Sequence, residues 1–528
     1  MDARSIDSHS PRLRLPANGV RLRLALRAAS IAAVALLSCL GCTTRPVERY
    51  DLVLHGGRVI DPDSGLDAVR DVGVRDGRII AVSAKPLTGQ RQLDASALVV
   101  APGFVDLHSH AWTPVSMRMH ARDGVTTALE LESGSYPVAN HGTYGAIALV
   151  GRSPIHFGAS VGHAWIRARI LEGTGAHSGA DQAATQQDAR GMNRPAFRSP
   201  LSAEQRGTMR DLLRDGLRQG GLGIGVLLDY MSEVVDQPEL EDIFRVAAEF
   251  AAPVVVHIRR GNAGDTAGLV EVIDLARRFG APLHICHIQA NGIQNIAEFM
   301  KLVRAARASG VAVTMEAFPY NAGSTAISAA AFLRDWKTVF GIDYGDIEVA
   351  ATGERLTAES FRRYQQQDPG LMVIHHYNRE EWTRQATLAP DVIIASDAVP
   401  ILGAGAGSNV APWGIGTHAK MLREYVREQQ ALSLSDALAK MTILPVRALA
   451  SYSPAMRRKG RIQPGADADL VVFNPATVAD HASYARPLAA STGFRYVIVG
   501  GVVVVDDDRM VEGALPGQRI LREAAVSN

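Results

Sequence analysis

His108 and His110 stand one residue apart at the end of the apolar run APGFVDLHSH, residues 101–110. Alternate side chains on a strand share a face, so a strand through Phe104, Val105 and Leu107 delivers both imidazoles to one spot at its C-terminal end. Such a pair is either part of a metal site or a hydrogen-bonded structural pair. The residues that bear on the choice lie far along the chain. Glu130 and Glu132 close TTALELE, His163 closes IHFGASVGH, and Asp229 closes LGIGVLLD. His257 sits in PVVVHIR, His287 in PLHICHIQ, and Asp397 closes DVIIASD. Each alone has a plain structural reading, with His163 and His284 as satisfied core histidines and Glu130 or Asp229 as partners in a salt bridge or loop. Together they form a nitrogen and oxygen donor set suited to Zn²⁺ or a similar divalent ion.

The segments carrying these residues, with VAVTMEAFPY, are eight short apolar strands that alternate with helices or connecting segments between about Ala101 and Arg458. That pattern predicts an α/β fold, a (β/α)₈ TIM barrel, in which the C-terminal strand ends converge on one site. SAEQRGTMRDLLRDGLRQGG is a clear crossover helix: Ser202 and Gln205 have capping-box spacing, Met209, Leu212, Leu213 and Leu217 share a face, and glycine ends it. Residues 326–390, with the β-like run LMVIHHY, are expected to be a barrel insertion that caps the site. Outside the barrel, residues 49–100 and 459–528 read as hairpins punctuated by Gly-Gly, Asp-Gly and Pro, and VIVGGVVVVDDD echoes VLHGGRVIDPD. Strands at both ends are expected to pair into one small composite β-sandwich.

The chain has 528 residues, 55 basic and 54 acidic, for a net charge of +1. No global field favours nucleic acid or an anionic surface, so a small-molecule partner is expected. RLRLALRAASIAAVALLSCLGC (residues 21–42) has an arginine-rich start and an apolar run from Ile31 to Leu40, too short for the ~20 residues that span a bilayer. It reads as a signal peptide within a leader of residues 1–42. LLSC resembles a bacterial lipobox, which makes Cys39 the lipidation candidate and Cys42 the less regular one; the alternative is an ordinary secretory signal cut nearby. An exported protein of the bacterial cell envelope follows, periplasmic or touching the membrane only through a lipid anchor. Cys286 is the remaining cysteine, so no internal disulfide framework is expected.

From about residue 50 to 525 the chain resembles the amidohydrolase superfamily, most closely its N-acyl-D-amino-acid deacylase branch. The resemblance rests on VIDPDSG, GRIIAVS, APGFVDLHSH, GVTTALE, VGHAWIR, GGLGIGVLLDY, VVHIRR, HICHIQANG, FPYNAGST, IIASDA, REYVREQQALSLSDALAKMTILPVRAL and GRIQPGADADLVVFNP. It implies a metal-dependent amide hydrolase holding one or two zinc ions. His108 and His110 would ligate one position and His257 and His287 a second, while Asp397 would coordinate metal and handle protons. The branch usually bridges its metals with a cysteine in a GNC turn after the second strand, where this chain has LELESG. Glu132 is the candidate replacement, with Glu130 second. Gln289 stands where the branch often has lysine, and HIRRG replaces a more acidic turn.

Zinc lowers the pKa of bound water to about 7 and polarises an amide carbonyl, and Asp397 would pass the proton from water to the departing amine. His163 and Tyr320 are candidates for carbonyl or supporting contacts. Arg259, two residues past His257, is the candidate clamp for a substrate carboxylate. The substrate expected is an N-acyl-D-amino acid, with acidic residues such as D-glutamate included if Arg260 or Arg167 also reaches in. Two other readings stand beside it. A cyclic-amide hydrolase of the dihydroorotase or hydantoinase kind shares the barrel but tends to bridge with a carboxylated lysine, which no strand end here offers. A non-catalytic envelope binding protein is expected to have lost ligands that this chain keeps.

Overall fold

The structure, a computed structural model, describes residues 50–141, 153–173, 194–401 and 411–522. The leader, with Cys39 and Cys42, lies outside the described residues.

Five strands come first: β1 (Tyr50–Asp61), β2 (Leu66–Arg75), β3 (Arg78–Ser83), β4 (Gly89–Asp94) and β5 (Val99–Pro102). The barrel strands follow as β6 (Phe104–Asp106), β7 (Val125–Ser135), β8 (His156–Gly162), β9 (Ile224–Leu227), β10 (Val254–His257), β11 (Leu283–Ile285) and β12 (Val313–Ala317). Then come β13 (Gly323–Ala326), β14 (Ile347–Val349), β15 (Met372–His375), the last barrel strand β16 (Ile393–Ile394), and β17 (Leu470–Phe473), β18 (Phe494–Val499), β19 (Val502–Asp506) and β20 (Arg509–Met510).

Among the described residues the eight barrel strands pair in the order β16-β12-β11-β10-β9-β8-β7-β6, all in parallel. The ring closes just past the strand ends, where Asp397 N donates to His108 O at 2.8 Å and His110 N to Ala398 O at 2.8 Å. These closing bonds join the first and last segments of the site, so the backbones of His108, His110 and Asp397 are fixed by one ladder. The crossover helix Ala203–Arg218 starts at the expected capping box, with Gln205 N donating to Ser202 Oγ at 3.2 Å and Ser202 N to Gln205 Oε1 at 2.9 Å. Met209, Leu213 and Leu217 are buried in the core shared with Ile224, Val226, Val254 and Val256, and Leu212 packs at its margin.

The insertion before β16 is a three-stranded antiparallel sheet, β13-β15-β14, over an aromatic core of Phe332, Trp336, Phe340, Phe361 and Tyr377. The strands from the two chain ends join into one nine-stranded sheet, with β17 antiparallel to β5 and β5 parallel to β1. Its alternation sorts side chains between two cores. Val471, Phe473 and Val497 pack with Leu422, Tyr425 and Leu438, while Leu470, Val472 and Ile498 pack with Leu54, Val72 and Ile79.

Candidate metal centre

The C-terminal ends of β6, β7, β10 and β11 deliver four histidines and one carboxylate to a single point. Glu132 and Glu130 alternate on β7 and share a face. Glu132 occupies the middle: its Oε2 lies 3.3 Å from His108 Nε2 and 3.5 Å from His110 Nε2. Its Oε1 lies 3.1 Å from His257 Nδ1 and 2.9 Å from His287 Nε2. Within each pair the ring nitrogens nearly touch, at 3.2 Å for His108 and His110 and 3.1 Å for His257 and His287. Asp397 Oδ1 stands 3.4 Å and 3.5 Å from the first pair, and its carboxylate is 24% exposed where the rest of the cluster is almost closed.

The tautomers follow from the outer partners. His108 Nδ1 is 2.5 Å from Glu316 Oε1 and His110 Nδ1 is 2.8 Å from Glu130 Oε2. A carboxylate can only accept, so each Nδ1 carries hydrogen, and whenever the ring is neutral it is the Nε2 lone pair that faces Glu132. Lone pairs and carboxylate oxygens that converge without donors between them fit a cation. A second sign is His257 Nε2, buried with no hydrogen-bond partner. The donor set fits one or two divalent ions of the zinc type, which His108, His110, Glu132, His257 and His287 would hold.

The electrostatics agree. Burial alone would keep His108 neutral, but the charges of Glu132, Asp397 and Glu316 hold its pKa well above the ordinary histidine value. His110 is raised in the same way against burial, chiefly by Glu130 and Asp397. Burial would raise Glu132, yet His108 and His257 pull it well below the usual carboxylate range. Glu316, against the same burial penalty, is drawn down to about 2 by His108 and His284. His287 is lowered, by burial and then by His257. A site this rich in negative charge gathers protons unless another cation takes their place, so metal binding here releases protons. Backbone strain sits at the same place: His287 has φ +30° and Asp397 φ +53°, values that side chains other than glycine rarely adopt.

Beside the cluster is a cavity whose lining includes His110, Glu132, Tyr230, His257, His287 and Asp397 together with Trp165, Phe197, Leu227 and Met372. Ser324, Thr325 and Ala326 of β13 and Met372 of β15 bring the insertion over it as a cap.

Three expected substrate residues do not face this cavity. Arg259 turns away, its Nε 3.0 Å from Glu271 and its two terminal nitrogens donating to the carbonyls of Ser232 at 2.5 Å and Val235 at 2.6 Å. It lies in the loop after β10, and the side chain that alternation would send inward is drawn off by those acceptors. His163 opens the helix His163–Glu172 and pairs with Glu239 at 2.7 Å beside buried Arg167. Its neighbours Ala164 and Trp165 reach the cavity instead. Tyr320 packs on Trp413 at 5.9 Å under the Lys420 ammonium, outside the lining. Asp229 lies 3.7 Å from His257 Nε2 and is bound at both oxygens by Arg334 at 2.8 Å. Arg260 packs over the rings of Phe340 and Tyr377 with its Nε 3.1 Å from Asn291 Oδ1. Sequence reasoning assigned no part to Glu316, although an acid inside the apolar run VAVTMEAFPY is a visible signal. It likewise passed over Arg194, a guanidinium in the cavity lining, which pairs with Glu172 at 2.8 Å.

Comparison with known proteins agrees with this geometry. The model of the amidohydrolase family matches residues 91–505. The N-acyl-D-glutamate deacylase of Alcaligenes xylosoxydans xylosoxydans is 31% identical over 91% of this chain and 98% of its own length. The D-aminoacylase of the same organism is 26% identical over 90% of this chain and 98% of its own. Among solved structures, the N-acyl-D-glutamate deacylase of Bordetella bronchiseptica, complexed with zinc and a phosphonate mimic of the tetrahedral intermediate, superposes with a TM-score of 0.72 at 26% identity, covering 90% of this chain and 100% of that one. A barrel with a histidine and carboxylate centre at its strand ends and a sheet built from both chain ends thus has full-length relatives, and the chain belongs to the amidohydrolase family, in its D-aminoacylase branch.

Proposed function

We propose that the chain is a zinc-dependent hydrolase that removes the acyl group from N-acyl-D-amino acids. The observation that carries this reading is Glu132, whose two oxygens each face a different histidine pair beside an open cavity. His108, His110, Glu132, His257 and His287 would hold the metal, with Asp397 as a further oxygen donor. When bound, zinc supplies a water acidic enough to lose its proton near neutral pH and polarises the amide carbonyl. Asp397 is placed to accept that proton and return it to the departing amine nitrogen, because its carboxylate touches both the first histidine pair and the cavity. The bonds that close the barrel hold its backbone while it does so. Trp165, Phe197, Leu227 and Met372 form an apolar wall for the acyl chain or amino-acid side chain. Arg194 takes over from Arg259 as the candidate partner for the substrate carboxylate.

The full-length likeness to an N-acyl-D-glutamate deacylase and a D-aminoacylase supports the substrate class. Steady-state assays on N-acetyl- and N-formyl-D- and L-amino acids test it. Hydrolysis of D-substrates is expected, and Asp397→Asn should lower kcat on the order of 10²–10⁴-fold while zinc stays bound. Turnover confined to L-substrates or to cyclic ureides would overturn the assignment. The cyclic reading is the weaker one, since a carboxylate, Glu132, stands between the two histidine pairs and, among the described residues, no lysine lines the cavity.

The leader supports export with a lipid on Cys39 or Cys42. No helix among the described residues is long and apolar enough to cross a membrane. Membrane partitioning lost on replacing both cysteines with serine is the expected result; partitioning that survives would refute the anchor.

A further inference from the structure

We propose that the acyl half of the substrate lies along the helix His163–Glu172 and ends in a carboxylate held by Arg194, so that the preferred substrates are half-amides of dicarboxylic acids. This rests on the deacylase reading above and identifies the carboxylate assigned there to Arg194 as the acyl group's own.

The place of Asp397 decides which half of the substrate lies where. Its proton goes to the departing nitrogen, so the amino acid leaves on the side of β16, where Val399 and Pro400 line the cavity. The acyl group extends from the other side of the carbonyl carbon. Counted round the closed ring from β16, β6 and β7 come first, then β8 and, directly across, β9. Apolar lining comes from those two: Leu227 ends β9, and the helix His163–Glu172 starts where β8 stops.

That helix forms one side of a slot. Ala164, Trp165 and Ala168 share a face and line the cavity, and the two alanines leave space that longer side chains would fill. Trp165 is pinned: its Nε1 donates to Gly134 O at 3.1 Å, and its Cδ1 lies 2.2 Å from where a Cβ on Gly162 would stand, so glycine is needed there. Ala196 and Phe197 of the helix Pro195–Arg198 add to the wall. From Ala164 to Glu172 the helix climbs about 12 Å, and Arg194, which also lines the cavity, pairs with Glu172. A formyl or acetyl group would leave most of this length unfilled and its contacts unmade.

The slot ends at a guanidinium with one edge in use. Glu172 Oε2 accepts from Arg194 Nε at 2.8 Å and from Nη2, while Glu172 Oε1 accepts from Ala196 N at 3.0 Å. Nη1 has no acceptor among the described residues. The edge formed by Nη1 and Nη2 therefore keeps two parallel N–H groups, the geometry that a carboxylate takes bidentately. Arg194 is also the one arginine or lysine in the lining among the described residues. An apolar slot closed by such an edge suits a chain that is aliphatic along its length and anionic at its tip. Water cleaves the C–N bond as before: the nitrogen leaves with the D-amino acid, and the carbonyl carbon keeps the water oxygen as the second carboxylate of a dicarboxylic acid.

Steady-state kinetics of the zinc-loaded full chain on one apolar D-amino acid carrying different acyl groups tests this. Succinyl, glutaryl and adipoyl derivatives are set against acetyl, and against the same three with the terminal carboxylate converted to its amide. The best carboxyacyl derivative is expected to exceed acetyl in kcat/KM about tenfold or more, and to exceed its own terminal amide by a similar factor. Arg194→Met should lower the ratio of carboxyacyl to acetyl kcat/KM about 10–100-fold. Ala168→Phe, which fills the slot and leaves its charges in place, should lower the same ratio. Glu172→Gln loosens the positioning of Arg194, so KM for the carboxyacyl substrate should rise with kcat retained. Each ratio is read on one preparation, so a partly unfolded variant leaves it intact, and the wild-type comparison needs no variant. Acetyl preferred over every carboxyacyl group, or a ratio unchanged in Arg194→Met, would overturn the proposal. Equal losses in Arg194→Met for all N-acyl-D-amino acids, absent with their α-amides, would assign Arg194 to the α-carboxylate and overturn it while the deacylase reading stands. No hydrolysis of any N-acyl-D-amino acid would overturn both.

Discussion

Asp123 and Glu132 are both buried acids next to histidine, and what surrounds them is opposite in kind. Asp123 follows the helix Pro114–Arg122 and accepts from the backbone N–H of His418 at 2.8 Å and of Ala419 at 3.1 Å, from the Ser491 hydroxyl at 2.6 Å and from His418 Nδ1 at 3.0 Å. Every neighbour brings a hydrogen, so the charge is answered within the protein, and the acid ties three distant segments together. Glu132 is met by four imidazole nitrogens, and for His108 and His110 the hydrogens are committed elsewhere. A serine, an aspartate and a histidine in contact are thus a structural knot at Asp123. A carboxylate among histidine lone pairs is a site that waits for a cation.

This contrast can be broken from either side. Asp123→Ala strips four donors of their acceptor and should destabilise the fold by about 3–5 kcal/mol, as removing one partner from a buried charged network does; chemical denaturation should show the loss while zinc affinity is unchanged. Glu132→Gln should do the reverse. It keeps the shape and removes the charge, so the metal-free protein should melt near the wild-type temperature while zinc affinity falls on the order of 100-fold. A folded, full-affinity Glu132→Gln variant would make Glu132 a second structural acid. The smallest expected effect on catalysis sharpens the boundary of the site: Arg259→Met should cost about 1–3 kcal/mol of stability through its lost bonds to Glu271 and two carbonyls, with kcat/KM changed by less than about threefold. A large loss in kcat/KM for acyl amino acids but not for their amides would return Arg259 to the site.

The barrel was legible because its signals are local and repeated. Apolar strands such as PVVVHIR and PLHICHIQ place their polar residues at the C-terminal end, and the capping box at Ser202 forms as its spacing predicts. The convergence of His108, His110, His257, His287, Glu132 and Asp397 was legible for the same reason, since strand alternation and barrel closure leave those side chains few directions. Tyr320 was not, because it packs on Trp413 outside the lining, and Arg259 and His163 were not, because their side chains follow whatever acceptor the tertiary structure offers. Ser232, Val235 and Glu239 are brought to them by segments that no local pattern pairs with them. Glu316 shows the same limit from the other side: a buried acid was visible, but its partner His108 lies 208 residues away in sequence.

The most direct measurement is turnover of N-acyl-D-amino acids by one preparation of the full chain before chelation, after exhaustive chelation, and after zinc is restored, with metal content measured at each stage. The account predicts activity that disappears with the bound metal and returns with it. Undiminished turnover by protein shown to be metal-free would contradict it.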